Sequence, residues 1–335
     1  MQSNPINRKK RLILAAFILS LVLGLVKFVA YYLTQSNAIL SDALESLINI
    51  VASGFALYSI RLAALPKDQN HPYGHGKIEF LSAGFEGGLI VLASLLIAYQ
   101  AISNFFHPVE LANLRTGSVL LVVSLVLNGL MGMILVKEGN KLNSLTLKAD
   151  GKHLLADAYT SIALIGSILL IEVSGYLWID SVASLLFGAI IAYNGSKLLR
   201  QSVAGLMDET NRDLLTKIVE KLNQNRKPYW IDVHNLRVQQ YGADLHIDCH
   251  LTLPNYWELT RVHDAIVEFE DYLKKIQPGE TEIFVHADPC LPHCCASCGM
   301  PSCPVRTASF VNTVRWDTTL ITLNQKHADY GNMTP

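Results

Sequence analysis

Charge is what this 335-residue chain has least of: Asp, Glu, Lys and Arg together supply 16% of it, against 50% hydrophobic residues. A soluble enzyme needs more polar surface than that, and the balance points to a polytopic membrane protein. Basic residues are scattered rather than massed, and the net charge is −1, which argues against a nucleic-acid partner. No cysteine precedes Cys249, and five of the six crowd between Cys290 and Cys303. A secreted disulfide scaffold spreads its cysteines, so the clustering favours metal binding on a reducing, cytoplasmic face. His-Glu-x-x-His, a phosphate-binding glycine loop and a serine elbow are all missing, so nothing indicates an enzyme or a catalytic cofactor.

What the chain does have is a series of long apolar runs, at about 12–33, 38–65, 79–106, 119–136, from Asp150 onward, and at about 177–199. Each suits a membrane-spanning helix, which predicts a six-helix transmembrane domain over 12–206 after a basic N-terminus at 1–11. A signal peptide also starts with a basic patch like Arg8-Lys9-Lys10-Arg11, but its apolar core is shorter and a cleavage site follows. Lys27 lies deep in the first run and is expected to pair with an intramembrane acid such as Glu86 or Asp180. Lysines and arginines gather in the N-terminal patch, the 67–77 loop, the 137–148 connection and the exit at Lys197 and Arg200. The opposite loops offer little beyond Arg115. The positive-inside rule then puts both termini in the cytoplasm, in a cell inner or plasma membrane.

Two of the runs open on polar faces. Asp150, His153 and Asp157 return to within about 60° of one another on a helix of 3.6 residues per turn. Asp42, Glu45 and Asn49 repeat the spacing on the second run. Polar groups at membrane depth usually line an ion or proton path, and two such faces brought together would make a metal cage. A simpler alternative is capping, with Asp150 as the N-cap of its helix. In the loop after Pro66, Asp68, His71 and His75 sit where Gly74 and Gly76 free the backbone to close on one ion.

From about 207 the composition is that of a soluble domain, expected to end near 289. Residues 210–225 form an amphipathic helix capped by Thr210 or Asn211. Residues 232–240 and 244–253 alternate as a hairpin, a second helix starts at Asn255 or Thr260, and 281–286 is a third strand. The order αββαβ makes a small α+β sandwich. Along the second strand His246, Asp248 and His250 share a face, as do His286 and Asp288 on the third. The segment 290–306 carries Cys290, His293, Cys294, Cys295, Cys298 and Cys303. Cys295-x-x-Cys298 is a chelating spacing, and four thiolates, or three with His293, suit tetrahedral Zn²⁺. A structural zinc knob, a regulatory sensor, a redox switch and a plain disulfide all remain open there. Residues 307–335 show only weak alternation and no evident task.

From Leu12 to Asp288 these features resemble the cation diffusion facilitator family of divalent-metal transporters. The resemblance implies six transmembrane helices and a cytoplasmic metallochaperone-like domain, assembled as a homodimer. It also implies proton-coupled export of a divalent cation (Zn, Fe, Mn or Co) by alternating access. The family takes two transport ligands from each of the second and fifth helices, which here are Glu45, Asn49, His153 and Asp157, flanked by Asp42 and Asp150. Asp68, His71 and His75 correspond to the family's intracellular second site. His234, His250, His263, His286 and Asp288 fall where it places inter-subunit metal ligands, with Zn²⁺ the expected regulator. Asn49 departs from the family pattern: a neutral carbonyl oxygen stands where a carboxylate is usual. The resulting oxygen-rich set tilts away from strict zinc selectivity toward Mn²⁺ or Fe²⁺. A metal-responsive membrane sensor that transports weakly is the alternative.

Overall fold

The computed structural model describes residues 5–34, 37–106, 114–176, 178–242, 244–276 and 280–327. They divide into two units, Met1–Met207 and Asp208–Pro335.

The first unit is a bundle of six long helices: α1 (Pro5–Thr34), α2 (Asn37–Ala63), α3 (Ile78–Phe106), α4 (Leu114–Lys141), α5 (Leu145–Ser174) and α6 (Trp178–Leu206). By length and composition α1–α4 and α6 can each cross a membrane. The 30-residue α5 is the remaining member of the bundle, its first half interrupted by Lys148, Asp150, Lys152, His153 and Asp157. Large apolar side chains such as Leu25, Val29, Leu95 and Leu186 stay exposed on the outside of the unit, as expected where the neighbours are lipid tails. The main packing partners are α3 with α6, α4 with α5, and α1 with α2. Between α4 and α5 the approach is backbone to backbone: a Cβ on Gly132 would stand 2.8 Å from the Gly151 carbonyl oxygen. Small residues at a crossing allow this closeness, and close packing replaces the hydrophobic drive that lipid removes.

Two expectations need correction here. Helix α5 begins at Leu145 rather than at Asp150, so Asp150 lies inside the helix and is fully buried. The capping alternative for Asp150 therefore falls. The lysine-bearing connection shrinks as well: Lys137 and Lys141 end α4, Lys148 belongs to α5, and the turn between the helices spans 142–144. Asn143 takes a left-handed backbone conformation there (φ 47°), which asparagine tolerates better than most residues. The turn is tied down by Glu79 at the start of α3, which accepts hydrogen bonds from Ser144 Oγ and, at 2.9 Å, from Lys9 Nζ of α1. A buried lysine–glutamate pair of this kind costs desolvation and holds only because both groups are satisfied.

The second unit follows the anticipated order. Helix α7 (Arg212–Gln224) is capped by Asn211, whose side chain accepts from the Leu214 amide, and Asp213 lies in its first turn. Strands β1 (Asp232–Tyr241) and β2 (Asp244–Leu253) form an antiparallel hairpin, turning at Gly242 with φ 67°. Helix α8 (Leu259–Lys274) is entered from Glu258 rather than from Asn255 or Thr260, and it carries the chain over to β3 (Thr281–Pro289), parallel to β2. The sheet order is β1-β2-β3. Odd-numbered β2 residues, Leu245, Ile247, Cys249, Leu251 and Leu253, pack into a core with α7 and with Trp230 and Phe269. By the period of two, His246, Asp248 and His250 take the other face.

The segment beyond β3 is not a separate appendage. A 3₁₀ turn (Pro292–Ala296) leads into an extended strap that crosses the domain. Trp316 and Ile321 are buried in the same core as the sheet. Asn223 clasps Trp316 through both its amide and its carbonyl at 2.9 Å, and the Arg226 guanidinium lies 4.1 Å over the indole.

Candidate metal sites

The polar faces of α2 and α5 meet. Asn49 Nδ2 donates to Asp157 Oδ2 at 2.6 Å, and Asn49 Oδ1 lies 2.8 Å from His153 Nε2. The amide orientation follows from chemistry, because a carboxylate only accepts and so takes the NH₂ side. One asparagine thus joins the two ligand-type residues of α5. Asp150 lies a turn away, with Oδ1 accepting from Ser53 Oγ of α2 at 2.7 Å, and Ser53 is in turn 3.5 Å from Ser20 of α1. Nothing in the sequence spacing singles out Ser53 or Ser20, since a serine on an apolar helix carries no distinguishing period. Glu45 and Asp42 belong to α2, and Glu45 precedes Asn49 by one turn; their side chains, like that of Asp180, lie outside the described atoms. Glu86 of α3 is fully buried and within electrostatic range of Asp150. Its carboxylate oxygens meet no hydrogen-bond partner among the described residues, so the anticipated Lys27–Glu86 pair does not form.

The loop group also assembles. Asp68 Oδ1 is 3.1 Å from His71 Nδ1, Asp68 Oδ2 is 3.3 Å from His75 Nε2, and the two imidazole rings stand 4.4 Å apart. Gly74, at φ 89°, supplies the backbone bend that returns His75 toward Asp68. Hydrogen bonds from the His71 backbone amide, foremost, and then from its side chain keep Asp68 below the usual carboxylate range. Asp68 and His71 are exposed, and His75 is partly buried.

In the soluble unit His234, His250 and His286 occupy one rung across the three strands. Asp288 is their common partner: Oδ2 lies 3.2 Å from His234 Nε2 and 3.3 Å from His250 Nδ1, and Oδ1 lies 3.4 Å from His286 Nε2. The ligand atoms of His234, His250 and Asp288 all lie within 4.8 Å of one another. Burial foremost, and then the charges of His234 and His286, lower the His250 pKa against the pull of Asp288. That favours the neutral imidazole, the form that binds metal. A bulge between His234 and Arg237, with Asn235 at φ 52°, turns the Asn235 amide to within 3.1 Å of His250 Nε2.

The support behind this rung carries no signal in the sequence pattern. Asp232 Oδ2 is 3.2 Å from His234 Nδ1, and Asp232 Oδ1 is 2.7 Å from Nδ1 of His327 on the strap. Burial alone would raise the Asp232 pKa; the two histidines bring it down to about 2. His263 is not gathered in: it lies exposed on α8, apart from the rung. His246 instead meets Glu282 at 3.3 Å, and Asp248 is exposed opposite Arg237.

Residues 13–207 match the cation efflux transmembrane domain, and residues 211–290 match the cytoplasmic domain of cation efflux proteins. The chain belongs to the cation efflux, or cation diffusion facilitator, family. Among the curated relatives of this family member, an uncharacterized transporter of Synechocystis sp. is 33% identical over 264 residues, 79% of this chain and 85% of the relative. The cation-efflux pump FieF of Shewanella oneidensis is 27% identical over 81% of this chain and 90% of its own length. A cadmium, cobalt and zinc/H(+)-K(+) antiporter of Bacillus subtilis is 27% identical over 80% of this chain and 84% of its own. The family assignment makes the chain a multi-pass membrane transporter of cations with a cytoplasmic dimerisation domain.

Proposed function

We propose that this family member exports a divalent transition-metal ion from the cytoplasm in exchange for protons, working as a homodimer by alternating access. The observation that carries the reading is the Asn49 bridge from α2 to His153 and Asp157, at 2.8 and 2.6 Å. Glu45, Asn49, His153 and Asp157 would hold the ion, and Asp42 and Asp150 would flank it. Imidazole coordinates only when neutral, so a proton arriving at His153 competes with the metal. On the acidic side the site protonates and releases; on the cytoplasmic side it deprotonates and loads. The relatives named as a cation-efflux pump and as a cadmium, cobalt and zinc antiporter support export and proton antiport. The Glu, Asn, His, Asp set is oxygen-rich, which supports Mn²⁺ or Fe²⁺ beside Zn²⁺ and Co²⁺. Asp68, His71 and His75 would form a weak entry site. The rung of His234, His250, His286 and Asp288 would bind regulatory metal, Zn²⁺ in the first instance, and couple dimer stability to cytosolic metal by mass action. Both termini would then be cytoplasmic.

The test is uptake of Zn²⁺, Mn²⁺, Fe²⁺ and Co²⁺ into reconstituted vesicles under an imposed pH gradient. Wild-type protein should accumulate metal when the gradient is set and stop when it is collapsed, and Asp157→Ala should lower the rate by ~10- to 100-fold or more, since loss of even an outer-shell partner of a metal costs that much. Binding without flux in wild-type vesicles would favour the sensor reading instead.

A further inference from the structure

The strap begins in a cysteine-lined cavity that neither the transport site nor the histidine rung uses. Cys290, Cys295, Cys298 and Cys303 line a space of about 40 Å³, room for a single ion. Cys290 and Cys295 are already treated as metal ligands are. The Asn255 amide donates to Cys290 Sγ at 3.4 Å, and the Thr307 amide and hydroxyl donate to Cys295 Sγ at 3.5 and 3.4 Å. N–H···S contacts of this type offset thiolate charge and orient the sulfur, the outer support on which bound metal depends. Arg306 braces the loop from behind, donating to the carbonyls of Cys295, Cys298 and Met300 at 2.9, 3.1 and 2.8 Å. Arg306 is also one of the residues lining the cavity, so its charge would partly offset the net −2 of four thiolates around a divalent ion.

Cys294 also borders the cavity but is the most deeply buried of the lining thiols, packed with Ile231 and Cys298. His293 is not among the lining residues. The larger set suggested by the sequence thus narrows to four thiols. None of the six cysteines is in a disulfide. The thiols are not gathered as tightly as the two histidine groups, so metal entry would draw the loop inward.

We propose that Cys290, Cys295, Cys298 and Cys303 form a tetrathiolate site for one zinc-type divalent ion, which fastens the C-terminal strap to the cytoplasmic domain. The strap starts at the Cys295 contact with Thr307, passes through Trp316 and Ile321 in the core, and ends with His327 on Asp232 beneath the histidine rung. Loosening its first anchor would therefore reach the support of His234.

The experiment uses reduced, chelator-stripped, full-length protein in detergent, titrated with Cd²⁺ and read by thiolate-to-cadmium charge-transfer absorption. One equivalent per chain should saturate the band. Cys295→Ser/Cys298→Ser should abolish it, and Cys303→Ser alone, a milder change to the loop, should weaken binding about tenfold or more. Cys294→Ser, His250→Ala and Asp157→Ala should keep it; retention in Asp157→Ala, where transport fails, separates this site from the transport reading. Hydrogen exchange over 307–327 should slow when Cd²⁺ is added to wild-type protein. The proposal is overturned by absence of the band, by its survival in the double variant, by its loss in Cys294→Ser, or by unchanged exchange in the strap. Iron with visible absorption in the protein as purified would also overturn it, in favour of an iron–sulfur cluster, because Cys290-x₄-Cys295-x₂-Cys298 is a spacing such clusters use.

Discussion

In the helical unit, Asn49 reaches His153 and Asp157 across sequence separations of 104 and 108 residues, and side-chain hydrogen bonds are what hold the three together. In the cytoplasmic unit, His234, His250 and His286 lie on one rung of a hydrogen-bonded sheet, with Asp232 and Asp288 bracing them. The backbone ladder fixes the spacing of the second group. In the first, the spacing depends on how two helices sit against each other, and it changes whenever they shift. A site that must release its ion suits the first construction, and one that must retain its ion suits the second.

Removing one proposed ligand from the cytoplasmic region, set beside Asp157→Ala in the helical one, gives the sharpest contrast. His250→Ala should weaken Zn²⁺ binding to the cytoplasmic domain by about 10- to 100-fold or more, the lower range being what loss of an outer-shell support costs, while vesicle transport at saturating metal persists. Calorimetry beside the uptake assay checks both halves, and equal loss of transport would merge the two sites into one functional unit. A smaller effect is expected at Asn49. Asn49→Asp removes the donor to Asp157 and sets two carboxylates against each other, so a bound cation or a shared proton must reconcile them. Preference should move several-fold toward Zn²⁺ over Mn²⁺ in the same vesicles, and an unchanged ratio would refute the role assigned to the amide. The smallest effect is alkaline. Burial and the hydrogen bond to Glu268 push the Tyr229 phenol up to about 12, from an ordinary value near 10. Its folded pKa is raised, so its contribution to stability is complete below about pH 10 and fades as pH climbs through about 12. Tyr229→Phe should remove that step from the alkaline unfolding curve of the cytoplasmic domain, followed by circular dichroism.

Helical period alone makes His153 and Asp157 legible, because a polar pair one turn apart in an apolar run stands out. Strand alternation does the same for His250, His286 and Asp288. What period cannot supply is the meeting of elements. The Asn49 bridge depends on α2 lying against α5, and the His234–His250–His286 rung depends on strand register, neither of which is a local property. The start of α5 escapes a local reading because Leu145-Thr-Leu-Lys-Ala149 is too short to show a helical period and follows the polar turn Asn143-Ser144, whose anchoring to Glu79 is a long-range contact. His263 looks like a ligand by family position, yet within one chain it faces outward from α8. The strap is illegible for a simpler reason: Trp316 and His327 are each held mainly through one distant residue, Asn223 and Asp232, and such isolated pairings leave no repeating pattern.

The seam at Gly132 and Gly151 has a mechanical consequence. Where two main chains touch with no side chain between them, a Cβ on Gly151 would come within 2.8 Å of the Val136 amide, and neither rod can turn about its own axis without lifting off the other. On the proposed alternating-access reading, α4 and α5 swing as one lever that carries His153 and Asp157. On that reading, the gap around the cargo would open at the slimmer boundary that α5 shares with α2.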